Sequence, residues 1–81
     1  MINERVVRDG HYLIVTSGGR AGLALVACQG CGLRDLQRFD GRPGEYDAVA
    51  RALARRVLAR FRDPSCDSVR LQLLAEHVME S

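Results

Sequence analysis

Lysine and tryptophan are both missing from this sequence. Its twelve basic residues are all arginine, and its aromatic side chains are two phenylalanines and two tyrosines. So few aromatic rings exclude the stacked platforms on which single-stranded nucleic acids are read. An all-arginine basic set reflects a GC-rich coding bias more simply than it reflects phosphate binding, so the position of each arginine carries more information than the total. Long apolar runs are absent too. The longest, Leu23 to Cys28, has six residues, against the roughly 20 that a membrane-spanning helix needs. The first residues, Met1-Ile2-Asn3-Glu4-Arg5, contain no apolar leader core. There is no internal repeat, no low-complexity tract and no linker.

Several kinds of chemistry are missing as well. No Gly-x-Ser-x-Gly, phosphate-binding loop, dinucleotide fingerprint or helical His-Glu-x-x-His is present. Ser17-Gly18-Gly19-Arg20-Ala21-Gly22 is glycine-rich, but it joins two strand-like segments and no helix follows it. Glu76 and His77 are adjacent, which points their side chains apart on a helix or a strand. These observations favour a non-enzymatic chain.

What is present bounds the class. Eighty-one residues, 47% hydrophobic and 27% charged, make one globular domain spanning residues 1–81. A chain of this length buries only about 60–65% of its unfolded surface, so its core is one thin layer. Twelve arginines against ten acids leave +2, too little for a general attraction to nucleic acid. Three cysteines cannot all pair within one chain, which points to a reducing, cytoplasmic setting.

The pattern along the chain predicts an α+β fold. Asp9-Gly10 is a two-residue hairpin signal between Ile2–Arg8 and His11–Thr16. Tyr12, Ile14 and Thr16 then alternate with His11, Leu13 and Val15. After the next turn, Leu23, Leu25 and Ala27 alternate with Ala24, Val26 and Cys28, giving an antiparallel meander of about three strands. Leu33, Leu36 and Phe39 recur at threes, which suits a short helical turn as well as an irregular fourth strand. From Glu45 to Arg62 the apolar residues Tyr46, Val49, Ala50, Leu53, Ala54, Val57 and Phe61 define one stripe of a long amphipathic helix, which lays one face on the sheet. Asp63-Pro64 stops it. A C-terminal strand or helix completes the fold. The alternation of Val69, Leu71 and Leu73 favours a strand at 68–74, while Leu71, Leu74, Ala75 and Val78 make a helical stripe.

Two candidate sites stand out. In Cys28-Gln29-Gly30-Cys31-Gly32, two thiols at this spacing on a tight turn supply half of a tetrahedral zinc site. The remaining thiol and imidazole candidates are Cys66, His11 and His77. Hairpin register places His11 across from about Ala27–Cys28, but the distances in sequence to Cys66 and His77 match no familiar zinc pattern. A redox use of the pair would need a helix N-terminus after a strand. The plainest reading is that no cofactor is bound, Cys28 being a small apolar strand residue and Cys31 a partly exposed thiol.

The second candidate is the arginine row of the helix. Arg51, Arg55 and Arg62 fall on a narrow arc opposite the apolar stripe, Arg56 flanks it and Arg60 lies nearer the buried edge. Together with Arg20, these could grip a partner's carboxylates or phosphates; the plain alternative is a solvated helix face.

The segments Gly10-His11-Tyr12-Leu13-Ile14-Val15, Ser17-Gly18-Gly19-Arg20, Ala48-Val49-Ala50-Arg51-Ala52-Leu53-Ala54 and Asp63-Pro64 cover about half of the chain. Their order resembles the arm-type DNA-binding domains at the N-termini of phage tyrosine recombinases. That resemblance implies a sheet entering the major groove, braced by the helix, with Arg5, Arg8 and Arg20 among the contacts. The chain departs from the family at its third strand, Leu23 to Cys28, which carries no basic residue where the family's is rich in them. In size and in lack of motifs the chain is also similar to small phage-encoded inhibitors, the anti-CRISPR proteins among them. The expectation is a protein-binding regulator or inhibitor of phage or mobile-element type, acting on another protein or complex and not on a membrane. A DNA-binding module is the first alternative and a small zinc domain the second. Pairing of two copies at a sheet edge would make a homodimer.

Overall fold

Asp9 and Gly10 both have positive φ, at 51° and 80°. This is the backbone that a two-residue turn needs if it is to match the twist of its strands. The turn joins β1 (Asn3–Arg8) to β2 (His11–Ser17) in the computed structural model, which describes residues 1–18 and 22–80. β3 (Leu23–Cys28) and β4 (Arg34–Arg38) complete a four-stranded antiparallel sheet in the order β1-β2-β3-β4. A short 3₁₀ turn at Pro43–Glu45 leads into α1 (Tyr46–Leu58), and α2 (Cys66–Glu80) follows. The fold is α+β, as expected; the meander has four strands where about three were expected, and the C-terminal element, left open between strand and helix, is a helix.

The register sets which residues face inward. Val6 lies opposite Leu13, Leu13 opposite Cys28 and Val15 opposite Val26. These side chains are buried under α1, which contributes Ala50, Leu53, Ala54, Val57 and Leu58. The other face of the sheet carries Arg5, Tyr12, Ile14, Leu25, Leu36 and their neighbours, and among the described residues no helix lies over it. The core is therefore the single layer that the chain's length allows.

Three elements differ from the pattern read in the sequence. Residues 34–38 pair with β3, and Leu36 faces Leu25 across the ladder. A spacing of three fits one side of a helix, but the ladder satisfies the backbone of this short segment and a lone helical turn would not. α1 ends at Leu58, short of Arg62: the Ala59 amide still donates to the Arg55 carbonyl at 3.0 Å, but the Phe61 amide then donates to the Leu58 carbonyl at 3.1 Å, a tighter turn that leaves the helix. Phe61 stays buried just past the helix, with the Arg60 guanidinium 4.5 Å from its ring centre.

The strand expected at 68–74 is instead the first part of α2. The Ser65 amide donates to the Asp63 carboxylate at 3.1 Å, the Val69 amide donates to the Ser65 carbonyl at 2.9 Å, and Asp67 complements the helix dipole. Val69 and Leu73 supply the inward side. The stripe Leu71, Leu74, Ala75 and Val78 is helical as its spacing suggests, but it faces away from the core.

Candidate metal centre

The two turns at one end of the sheet and the start of α2 converge. The β1–β2 turn delivers His11, the end of β3 delivers Cys28, the β3–β4 turn delivers Cys31, and the first residue of α2 is Cys66. The ligand atoms of these four side chains all lie within 4.8 Å of one another. His11, Cys28 and Cys31 are buried and Cys66 is half-buried.

The local backbone prepares this arrangement. Between Cys28 and Cys31 the chain folds into a tight knuckle, with the Gly32 amide donating to the Cys28 carbonyl at 3.0 Å and the Cys28 amide to the Leu33 carbonyl at 2.9 Å. The amides of Gly30 and Cys31 point at the Cys28 sulfur, and the Leu33 amide points at the Cys31 sulfur. A side chain at Gly30 would crowd the cluster. A Cβ there would sit 3.1 Å from the Cys66 sulfur and 3.8 Å from that of Cys28.

The distances fit a four-coordinate ion. A tetrahedron with metal–sulfur bonds of about 2.3 Å has sulfur–sulfur edges of about 3.8 Å, and with a metal–nitrogen bond of about 2.0 Å its nitrogen–sulfur edges are about 3.5 Å. The Cys28 and Cys66 sulfurs are 3.8 Å apart, and His11 Nδ1 lies 3.3 Å from the Cys28 sulfur and 3.6 Å from that of Cys31. All three cysteines are free thiols.

His11 is oriented for the role. Its Nε2 is 2.7 Å from the Pro64 carbonyl. A carbonyl only accepts, so Nε2 carries a proton, and Nδ1 is the nitrogen that faces the sulfurs and would give its lone pair to a metal. A metal-binding histidine commonly has its second nitrogen fixed in this way. The ring is completely buried, and both of its nitrogens have partners in the chain.

Electrostatics separate the three thiols. Burial pushes Cys28 up, but hydrogen bonds from His11, from the Cys31 and Gly30 amides and from the Cys31 thiol together bring it down to about 6. Burial raises Cys31, and the neighbouring Cys28 sulfur raises it further against the opposing Leu33 amide. Cys66 is pushed up to about 12 by burial and then by the charges of the other two sulfurs. Three thiolates this close repel one another, and a bound cation relieves that repulsion.

Sequence reasoning named all four members of this cluster. His77, the fifth candidate, sits on the exposed part of α2, eleven residues past Cys66 and outside the cluster. Cys31, read as a partly exposed thiol, is buried, because the knuckle turns it under the start of α2. The arginines do not form one free row. Arg51 pairs with Asp47 at 3.3 Å, Arg60 pairs with Glu76 at 3.5 Å, and Arg56 ties α1 to β4 through the Gln37 side chain at 2.8 Å and the Arg38 carbonyl. Arg55 and Arg62 are exposed. Arg20 lies outside the described residues. No helix among the described residues is long and apolar enough to cross a membrane.

Comparison of the chain with protein families, with characterised proteins and with solved structures finds no match. The functional reading therefore rests on the geometry of the site.

Proposed function

We propose that this chain is a small structural-zinc domain that serves as a non-enzymatic binding module for another macromolecule. The observation that carries the reading is the meeting of one imidazole and three thiols from three separate segments, with all four ligand atoms within 4.8 Å of one another. Soft thiolates with one imidazole are a zinc donor set. Four protein ligands leave no position for water or substrate, so the ion would staple the fold and not catalyse a reaction. The staple suits a domain whose core is a single layer. The binding role follows from what surrounds it, a rigid sheet with one open face.

Protein purified without chelator should carry about one zinc per chain. Cobalt in its place should show the ligand-field and sulfur charge-transfer bands of a tetrahedral three-sulfur site. Metal-free protein that takes up neither ion would overturn the reading. Binding should also release protons, because a metal needs thiolates. Cys28, at about 6, is ionised at pH 7.5 while Cys31 and Cys66 are raised and still protonated. Zinc binding at that pH should therefore release at least two protons per ion, from Cys31 and Cys66, and a third if Cys28 and His11 Nδ1 hold one between them, read by calorimetry in buffers of different ionisation enthalpy. The sign follows: affinity falls as pH drops, most steeply once Cys28 also protonates.

A further inference from the structure

All three cysteines of the chain meet in the cluster, and each is a free thiol. Thiols this close can give up two electrons and close a sulfur–sulfur bond, and the surroundings decide which pair does so. The three differ in access. Cys28 and Cys31 are 2% and 8% exposed, whereas Cys66, the first residue of α2, is half-buried. A small oxidant therefore meets the Cys66 sulfur first.

They differ in tether as well. The Cys28 sulfur lies 3.8 Å from that of Cys66, and a disulfide of about 2.05 Å asks the two to close by about 1.8 Å. Gly30 lies beside both sulfurs and offers no side chain to block that approach. Cys28 and Cys31 instead share one knuckle, whose amides point at their sulfurs. Bonding these two to each other would draw both off their donors, while bonding Cys66 to Cys28 needs only Cys66 to move.

We propose that hydrogen peroxide exchanges the metal of this site for a disulfide between Cys28 and Cys66, so that oxidation empties the site and leaves α2 attached. The proposal rests on the zinc reading and adds how the site is regulated. The Cys66 sulfur gives an electron pair to one peroxide oxygen and the O–O bond breaks. That oxygen stays on sulfur as a sulfenic acid, and the other takes a proton and leaves as water. The Cys28 sulfur then attacks that of Cys66. The S–S bond forms, the S–O bond breaks, and the departing hydroxide takes a second proton. Two thiolates, one hydrogen peroxide and two protons thus give one disulfide and two waters. Cys31 and His11 remain as donors, two where a closed zinc site has four, and the ion leaves as Zn²⁺. The new bond joins the end of β3 to the start of α2 across thirty-eight residues, the same two segments that the ion joined.

Zinc-loaded protein titrated with hydrogen peroxide should release about one ion per peroxide consumed, read with a chromogenic indicator. After the remaining thiol is alkylated, trypsin separates residues 21–34, which hold Cys28 and Cys31, from residues 63–70, which hold Cys66. The two peptides should stay joined, and fragmentation between Cys28 and Cys31 should place the bond on Cys28 and the alkyl group on Cys31. Amide exchange in α2 should be as slow as in the zinc form, whereas chelated, reduced protein should lose that protection. Dithiothreitol should restore the thiols and zinc uptake. A Cys28–Cys31 bond within one peptide, a bond from Cys31 to Cys66, or an ion retained in excess peroxide would overturn the inference. So would loss of α2 protection on oxidation. Protein that takes up no zinc fails at the loading step, before peroxide is added, and would overturn the zinc reading and the exchange together.

Discussion

α1 places five side chains, from Ala50 to Leu58, in the core against the sheet. α2 places only Val69 fully inside, with Leu73 and Cys66 half-buried beside it. Its other attachments are polar: Arg70 donates to the Gly30 carbonyl at 3.0 Å, Gln72 to the Asp63 carbonyl at 3.0 Å, and Glu76 meets Arg60. Packing area therefore fixes the first helix, whereas the second is held by one buried side chain, by polar ties and, on the zinc reading, by Cys66. A small domain can attach a helix without extending its core if one end of that helix is a metal ligand.

The largest effect should come from Cys66→Ser. Loss of a ligand should weaken metal binding by more than the roughly 10–100-fold that loss of an outer partner costs. Amide exchange in α2 should rise toward that of an unfolded chain while α1 stays protected. Equal loss of protection in both helices would break the contrast. Leu53→Ala comes next. It should cost about 2–5 kcal/mol by opening a cavity under α1, seen as a lower melting temperature with one metal still bound per chain. The smallest effect is Arg70→Ala. It removes the hydrogen bond to Gly30 and an exposed ion pair with Asp67, and should cost under about 1 kcal/mol. Confined to α2 exchange, that loss would sharpen the contrast; spread over the sheet, it would blur it.

Elements governed by neighbouring residues were the most legible in the sequence. Asp9-Gly10 specifies its hairpin locally, and the alternation in β2 and β3 gives their inward faces correctly. The stripe of α1 is long enough to specify the helix, though not the tighter turn at Phe61 that ends it. Residues 34–38 and 68–74 were ambiguous because a spacing of two and a spacing of three or four coexist there. What decides them is tertiary: β3 offers a free edge to one, and the buried seats of Val69 and Leu73 shape the other. The knuckle was legible as half a site. His11 was legible through the hairpin, but nothing in the sequence chose Cys66 over His77, because α1 and the turn after it bring Cys66 back across thirty-eight residues to Cys28, a distance no local spacing rule encodes. The tautomer of His11 is set by a carbonyl fifty-three residues away.

The wide separation of the four ligands also bears on the order in which the chain folds. Cys28 and Cys31 share one turn, His11 joins them across seventeen residues of hairpin, and Cys66 arrives last across thirty-eight. Loop closure slows as contacts become less local. On the zinc reading, the meander offers an ion three ligands before α2 docks. Closure of the site would then be the step that commits the C-terminal segment to its place, and metal supply would set how fast the chain matures.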